Sequence, residues 1–285
     1  MTPRDNTFLS DFRRCPRYAM YRHRDGLVLP HKGVSVMDVG TIGHAAIAAG
    51  FDMGPGDEPL IVAKHLYDQL DDSEAFDTQE FTFGYIESVL DGYYKQYPLE
   101  QEPFEVLEVE QYLEAEIDGL PYCGIMDALV RFSDGGIYSM DHKFTRGYLS
   151  QAWFDSWRMS AQQIGYGALI RAAGGRWDGY YINAIHLNTR SYKVEPKHFQ
   201  RYGPVRVPAW MLDEWIRNFK HTMDVLDTIP HESDWPQTTM NCFKWNKPCP
   251  YWRLCTVPPE LRPGIIENDY DVEVWNPKER ASGNA

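Results

Sequence analysis

The spacing Gly124-Ile125-Met126-Asp127, followed fourteen positions later by Asp141-His142-Lys143, constrains this chain more than any other feature. Between them Ser133-Asp134-Gly135-Gly136 is a strong turn signal, so Gly-x-x-Asp and Asp-x-Lys are expected on the two strands of one hairpin. Two carboxylates delivered that close repel, and their pKa values rise unless a cation lies between them. A divalent metal supplies that cation, and its hard ligands are carboxylates, carbonyls and water. An amine two residues beyond the second aspartate can hold or polarise a water beside the metal. Metal-assisted phosphodiester hydrolysis needs that arrangement.

Bulk properties narrow the reading further. The 285 residues suit a single domain, 1–285, with a sizeable core, and the 43% hydrophobic and 14% aromatic content is that of a globular protein. The first residues, Met1-Thr2-Pro3-Arg4-Asp5-Asn6, lack a signal-peptide core, and no apolar run approaches the ~20 residues of a membrane span. No membrane association and a cytoplasmic location are therefore expected. A net charge of −13 argues against a protein that coats DNA, because phosphate contacts supply most of that affinity. It leaves room for a local basic track. Arg13, Arg14, Arg17 and Arg22, with Arg24 beyond them, form a candidate DNA-binding track, against the alternative of a solvated helix face.

Within the chain, residues 1–100 read as a helical N-terminal portion. Helices are expected over 7–24 (interrupted at Pro16), from Thr41, over 60–71 and over 78–97. The portion 101–200 reads as the catalytic core. Strands are expected at 104–117, 122–132 and 137–141, a long helix at 151–172 ended by Gly174-Gly175, a strand at 178–187 and its partner at about 191–195. A helix at 209–228 precedes a Cys-containing extension, 230–285. Acidic runs stand at Asp71-Asp72-Ser73-Glu74 and from Glu267 to Asp271. This order indicates an α/β fold with a mixed β-sheet flanked by helices.

The hairpin bearing Asp127 and Asp141-x-Lys143 resembles the core of the PD-(D/E)XK nuclease superfamily, in its RecB-like exonuclease branch, where the residue before the first aspartate need not be proline. Other segments match that branch in order. Gly40-Thr41-Ile42-Gly43-His44 is similar to its metal-binding Gly-x-x-x-His. Glu110, in Val109-Glu110-Gln111-Tyr112, stands where the branch has a strand glutamate, although Glu108 shares that strand face. Gln162-x-x-x-Tyr166 is similar to its Gln-x-x-x-Tyr helix motif, whose spacing puts both side chains on one face. Each match alone would pass as ordinary packing; the conjunction in order is what counts.

The resemblance implies a restriction-endonuclease-like core and a Mg²⁺- or Mn²⁺-dependent deoxyribonuclease. His44, Asp127, Asp141 and the backbone carbonyl of His142 would ligate the metal. An imidazole ligand favours Mn²⁺. Lys143 would orient or deprotonate water or stabilise charge on the phosphate, Glu110 would hold a metal-bound water, and Gln162 and Tyr166 would position substrate or the lysine. An exonuclease on single-stranded DNA or DNA ends is implied, in repair, recombination or phage DNA processing, with a helicase or recombination protein as partner.

Three of the five cysteines form Cys242-x6-Cys249-Pro-x4-Cys255, and Cys15 lies in Cys15-Pro16-Arg17. In a reducing compartment clustered thiols suggest ligation rather than disulfides. Some RecB-like nucleases, AddB and CRISPR-associated members among them, hold a [4Fe–4S] cluster on one N-terminal and three C-terminal cysteines. Cys15, Cys242, Cys249 and Cys255 are similar to that set, except that a two-residue gap is usual where this chain has six. Zn²⁺ on the same thiolates, or unligated buried thiols, are the alternatives. Cys123, isolated in a strand, reads as a simple buried thiol. Two rival functions remain open: a catalytically inactive DNA-binding or recombination partner module, and a zinc-stabilised interaction protein.

Overall fold

The computed structural model describes residues 3–30, 34–70, 81–232, 234–244, 246–274, 276 and 278. In chain order it runs α1 (Asn6–Arg14), α2 (Pro16–Ala19), β1 (Leu27–Val28), α3 (Val36–Met53), α4 (Glu58–Asp68), α5 (Phe83–Gln96), β2 (Phe104–Ile117), β3 (Leu120–Phe132) and β4 (Ile137–Thr145). There follow α6 (Gln151–Asp155), α7 (Ala161–Ala172), β5 (Gly179–His186), β6 (Phe199–Val205), α8 (Ala209–Asp227), β7 (Phe243–Lys244), β8 (Lys247–Pro248), α9 (Trp252–Cys255), α10 (Arg262–Asp269) and β9 (Asp271–Val272). The chain divides into two compact units, Met1–His31 with Glu114–Gly124 and Asp213–Ala285, and Lys32–Leu113 with Ile125–Leu212.

The second unit is built on a sheet of strand order β2-β3-β4-β5-β6. Gly135, at φ 79°, supplies the left-handed residue that the β3–β4 turn needs, and the two strands pair antiparallel from Arg131↔Ile137 to Ala128↔Met140. The strands β4 and β5 run parallel, with Asp141 opposite Ile182 and Lys143 opposite Ala184, because α6 and α7 form the crossover between them. A mixed sheet flanked by helices results, as the order of elements predicts. On one side the buried faces of α3 and α5, including Ile42, Ile47, Ile86 and Leu90, pack with Ile185 and Phe199 of the sheet. Ser35 caps α3 reciprocally with Asp38, which fixes where that helix begins. Gly43 lets α3 sit close against β4: a Cβ there would stand 2.0 Å from the Phe144 ring.

The first unit has its own core, in which Phe8, Leu9, Phe12, Tyr122, Phe219 and Trp235 are all buried. Tyr122 meets Trp215 edge-on at 5.0 Å, and Phe12 meets Trp235 at 5.9 Å. Among the described residues, no helix is long and apolar enough to cross a membrane.

Several boundaries differ from those expected. The helix predicted over 151–172 is two helices, because Ser150 and Ser160 each cap a separate start and residues 156–159 form turns. The partner strand predicted at 191–195 lies instead at Phe199–Val205, after Pro196 opens a 3₁₀ turn. Pro16 does restart the first helix, which then loosens into a π turn over Met20–Arg24. The helix predicted over 60–71 spans Glu58–Asp68, and the one over 78–97 spans Phe83–Gln96. The acidic run Asp71–Glu74 falls outside the described residues.

Candidate active site

Asp127 on β3 and Asp141 on β4 arrive beside one another by strand pairing, one step past the Ala128↔Met140 pair. Asp127 Oδ2 accepts the His142 backbone N–H at 2.7 Å and faces His44 Nδ1 at 3.2 Å, so α3 reaches the sheet at this point. Glu110 completes the group: donor atoms of His44, Glu110 and Asp127 all lie within 4.8 Å of one another. Glu110 sits in β2 at φ 45°, a left-handed value that turns a side chain off the regular alternation as a bulge does. Asp141 and Lys143, two residues apart, share a strand face, and Asp141 Oδ2 lies 2.7 Å from Lys143 Nζ. The other Asp141 oxygen is buried with no hydrogen-bond partner among the described residues. An imidazole and three carboxylates, one oxygen of them unpartnered, suit a divalent cation.

Burial dominates the electrostatics here, and neighbours set its sign. Burial pushes the Asp141 carboxyl up to about 6, Lys143 opposes that rise, and Asp127 adds to it. Burial acts the same way on Asp127, but the His44 imidazole, by charge and hydrogen bond, outweighs it and holds this carboxyl below the usual range. Burial would lower the pKa of His44 and Lys143; the aspartates beside them reverse the sign and keep both raised. His142 is lowered by burial to about 3, and the opposing charge of Asp127 does not reverse it.

A second layer fixes the ammonium. Lys143 Nζ donates to Gln162 Oε1 at 3.1 Å, Gln162 Nε2 donates to the Tyr166 hydroxyl at 2.9 Å, and Tyr166 donates to the Ile125 carbonyl on β3. The i,i+4 spacing on α7 therefore links the lysine to the strand that carries Asp127. The Lys143 ammonium also lies over Trp157, 5.3 Å from its ring centroid.

Motif reasoning missed the layer behind His142. Asn183 Nδ2 donates to His142 Nδ1 and to the Tyr93 hydroxyl, both at 2.8 Å, and Arg201 bonds Tyr93 while pairing bidentately with Glu102. An amide NH₂ can only donate, so His142 accepts at Nδ1 and carries its proton on Nε2. The signal was Asn183 itself, a polar residue in the apolar run Tyr180–Leu187.

Elsewhere, Cys15, Cys242, Cys249 and Cys255 line a single pocket with Arg14, Tyr18 and Tyr251. Between Cys242 and Cys249, Phe243–Lys244 and Lys247–Pro248 pair antiparallel as β7 and β8, and the Cys249 N–H donates to the Cys242 carbonyl at 2.7 Å. Burial raises the Cys255 thiol to about 11 and raises Cys249, and Cys15 and Cys242 add to both. Cys123 is buried in β3. The candidate DNA-binding arginines are engaged within their own unit. Arg13 donates to Thr222 and to the Asn218 carbonyl, Arg17 to the Trp235 carbonyl, Arg22 to the Glu273 carbonyl, and Arg14 lies over the Tyr18 ring.

A family model described as PD-(D/E)XK nuclease superfamily matches residues 7–256. Among solved structures, the protein named "Putative exonuclease" from Eubacterium rectale is similar in fold, at 11% identity and a TM-score of 0.52, covering 90% of this chain and 94% of its own. The solved protein SSO0001 is 15% identical with a TM-score of 0.31, over 77% of this chain and 84% of its own. No curated protein matches the sequence.

Proposed function

This chain belongs to the PD-(D/E)XK nuclease superfamily, and on that premise we propose that it is a Mg²⁺- or Mn²⁺-dependent exodeoxyribonuclease of the RecB-like type, acting on single-stranded DNA or DNA ends. The observation that carries the reading is the convergence of His44, Glu110 and Asp127 within 4.8 Å beside the Asp141–Lys143 pair. His44, Asp127 and Asp141, with the His142 carbonyl, would hold the metal, and Glu110 stands close enough to join them directly or through a water. When bound, the ion supplies Lewis acidity at the phosphate and a more acidic water.

The chain's own groups do the rest. The two aspartates beside Lys143 raise its pKa, so without the ion it is an ammonium at neutral pH. Its role is then to stabilise negative charge on the phosphate and to orient the attacking water. Gln162 holds that ammonium in place, and Tyr166 holds Gln162. By resemblance, the setting is DNA repair, recombination or phage DNA processing, with a helicase or recombination protein as partner.

Cys15, Cys242, Cys249 and Cys255 would ligate a [4Fe–4S] cluster. A single tetrahedral Zn²⁺ at ~2.3 Å from each sulfur needs thiolates ~3.8 Å apart. Among the described residues, no cysteine trio closes to within 4.8 Å, which favours the wider cluster. Anaerobic purification with iron, sulfide and zinc analysis tests this part: a colourless protein holding only zinc overturns it. The nuclease reading is tested on 5′- and 3′-labelled single- and double-stranded DNA with Mg²⁺ or Mn²⁺. Release of mononucleotides from one end by the wild type, lost in Asp141→Ala, supports it; equal cleavage by both, or none by either, ends it.

A further inference from the structure

We propose that the segment following Lys143, with the end of β5, is a base-stacking track that receives the single strand next to the scissile phosphate. The inference rests on the nuclease reading above and adds the residues that would recognise unpaired bases.

The track is a continuous series of contacts. Trp157 stands under the Lys143 ammonium at 5.3 Å, and Trp153 lies 5.5 Å from Trp157, centroid to centroid. The Trp153 indole borders Gly147: a Cβ there would lie 3.8 Å from Trp153 Cδ1. The next residue, Tyr148, is 66% exposed and stacks on His186 at 5.6 Å with 23° between planes. His186 Nδ1 lies 3.0 Å from the Gly147 carbonyl oxygen, which ties the end of β5 to this segment, and the Arg190 guanidinium stands 5.7 Å from the Tyr148 ring centre. Arg146 and Arg158 are exposed on the same stretch.

Burying apolar area would not explain a tyrosine left two-thirds in solvent between an imidazole and a guanidinium. Aromatic faces interleaved with arginine are the chemistry of single-stranded nucleic acid binding, since every base has a face to stack and every linkage a charge to neutralise. In a chain of net charge −13, arginines gathered beside a phosphodiester site also offset the repulsion the substrate would meet. A duplex keeps its bases stacked on each other and gains nothing from Tyr148. The occupant is therefore a single strand.

The test compares wild type, Tyr148→Ala, Tyr148→Phe and Arg190→Ala in binding a short fluorescein-labelled oligothymidylate, with Ca²⁺ in place of the catalytic ion. The same strand bearing abasic sites and the matching duplex serve as the other two probes. Tyr148→Ala is expected to weaken the oligothymidylate about 10-fold, Tyr148→Phe to restore it, and neither to alter the duplex. On the abasic strand wild type and Tyr148→Ala should bind alike. Arg190→Ala should lower the salt slope of binding by about one. Unchanged oligothymidylate binding in Tyr148→Ala, or an equal loss on the abasic strand, overturns the track. Cleavage by the wild type is scored separately: a protein that binds as described and cleaves nothing keeps the track and loses the nuclease reading.

Discussion

Four thiols line one pocket of this protein, and three carboxylates gather with an imidazole elsewhere; burial raises Cys249 and Cys255 in the one and Asp141 in the other, where His44 holds Asp127 low. The carboxylate site already contains part of its compensation, because His44 and Lys143 lie within 3.2 and 2.7 Å of the aspartates they face. In the thiol pocket Arg14 opposes the rise at Cys249 and Arg17 that at Cys255, and neither reverses it. The supports differ as well. Strands carry the carboxylates and the long helix α3 the imidazole, whereas the thiols stand at helix ends and beside the short β7–β8 pair. A site on regular elements stands without its ion, and the ion there contributes chemistry. A thiol site on short elements would rely on a bound metal for order. Removal of metal should therefore cost activity in one region and stability in the other.

The sharpest way to break that contrast is Asp141→Ala. We expect a ~10³-fold loss of single-strand cleavage with little change in melting temperature, measured by product release and calorimetry. A large fall in melting temperature would mean that the carboxylate site is structural after all. Cys249→Ser is expected to do the reverse, lowering the melting temperature by roughly 5–10 °C, as a loss of ~3 kcal/mol would in a chain of this size. An unchanged melting curve would remove the structural role from the thiol pocket.

Gln162→Ala sharpens the comparison within the carboxylate region. It frees the Lys143 ammonium without removing it, so kcat should fall ~10–100-fold while KM holds. Gln162→Glu, which keeps an acceptor for Lys143, should recover part of the loss. The smallest effect expected is on pH. A divalent ion needs Asp141 ionised, and its proton is held up to about pH 6. Apparent Mn²⁺ affinity should therefore be flat above that pH and fall ~10-fold per unit below it, read by titration calorimetry. Without metal the sign for folding is the opposite: a carboxyl raised on folding penalises the native state above about pH 6 and ceases to do so as the pH drops.

What could be read in advance follows how local each device is. Asp127, Asp141 and Lys143 were legible because a hairpin converts sequence spacing into spatial pairing. Gln162 and Tyr166 were legible because a helix does the same at a spacing of four. The break between α6 and α7 was not, since Ser156 to Ser160 include no proline or glycine and only the two serine caps betray it. The strand at 199–205 was misplaced because Tyr192 and Val194 alternate as a strand does, while the true pairing depends on β5. The network of Asn183, Tyr93, Arg201 and Glu102 joins α5, β5 and β6 with a residue ahead of β2, and no periodicity announces such a meeting. The arginines near the N-terminus illustrate the converse. Their clustering suggested a ligand, and the structure engages Arg13, Arg17 and Arg22 with backbone carbonyls.

Gly43 contributes no donor atom to any pocket, yet the reach of its neighbour depends on it. Any side chain there would collide with Phe144 and lever the helix outward, withdrawing an imidazole from a carboxylate that neither residue touches. The approach of His44 to Asp127 is thus set partly by a missing carbon.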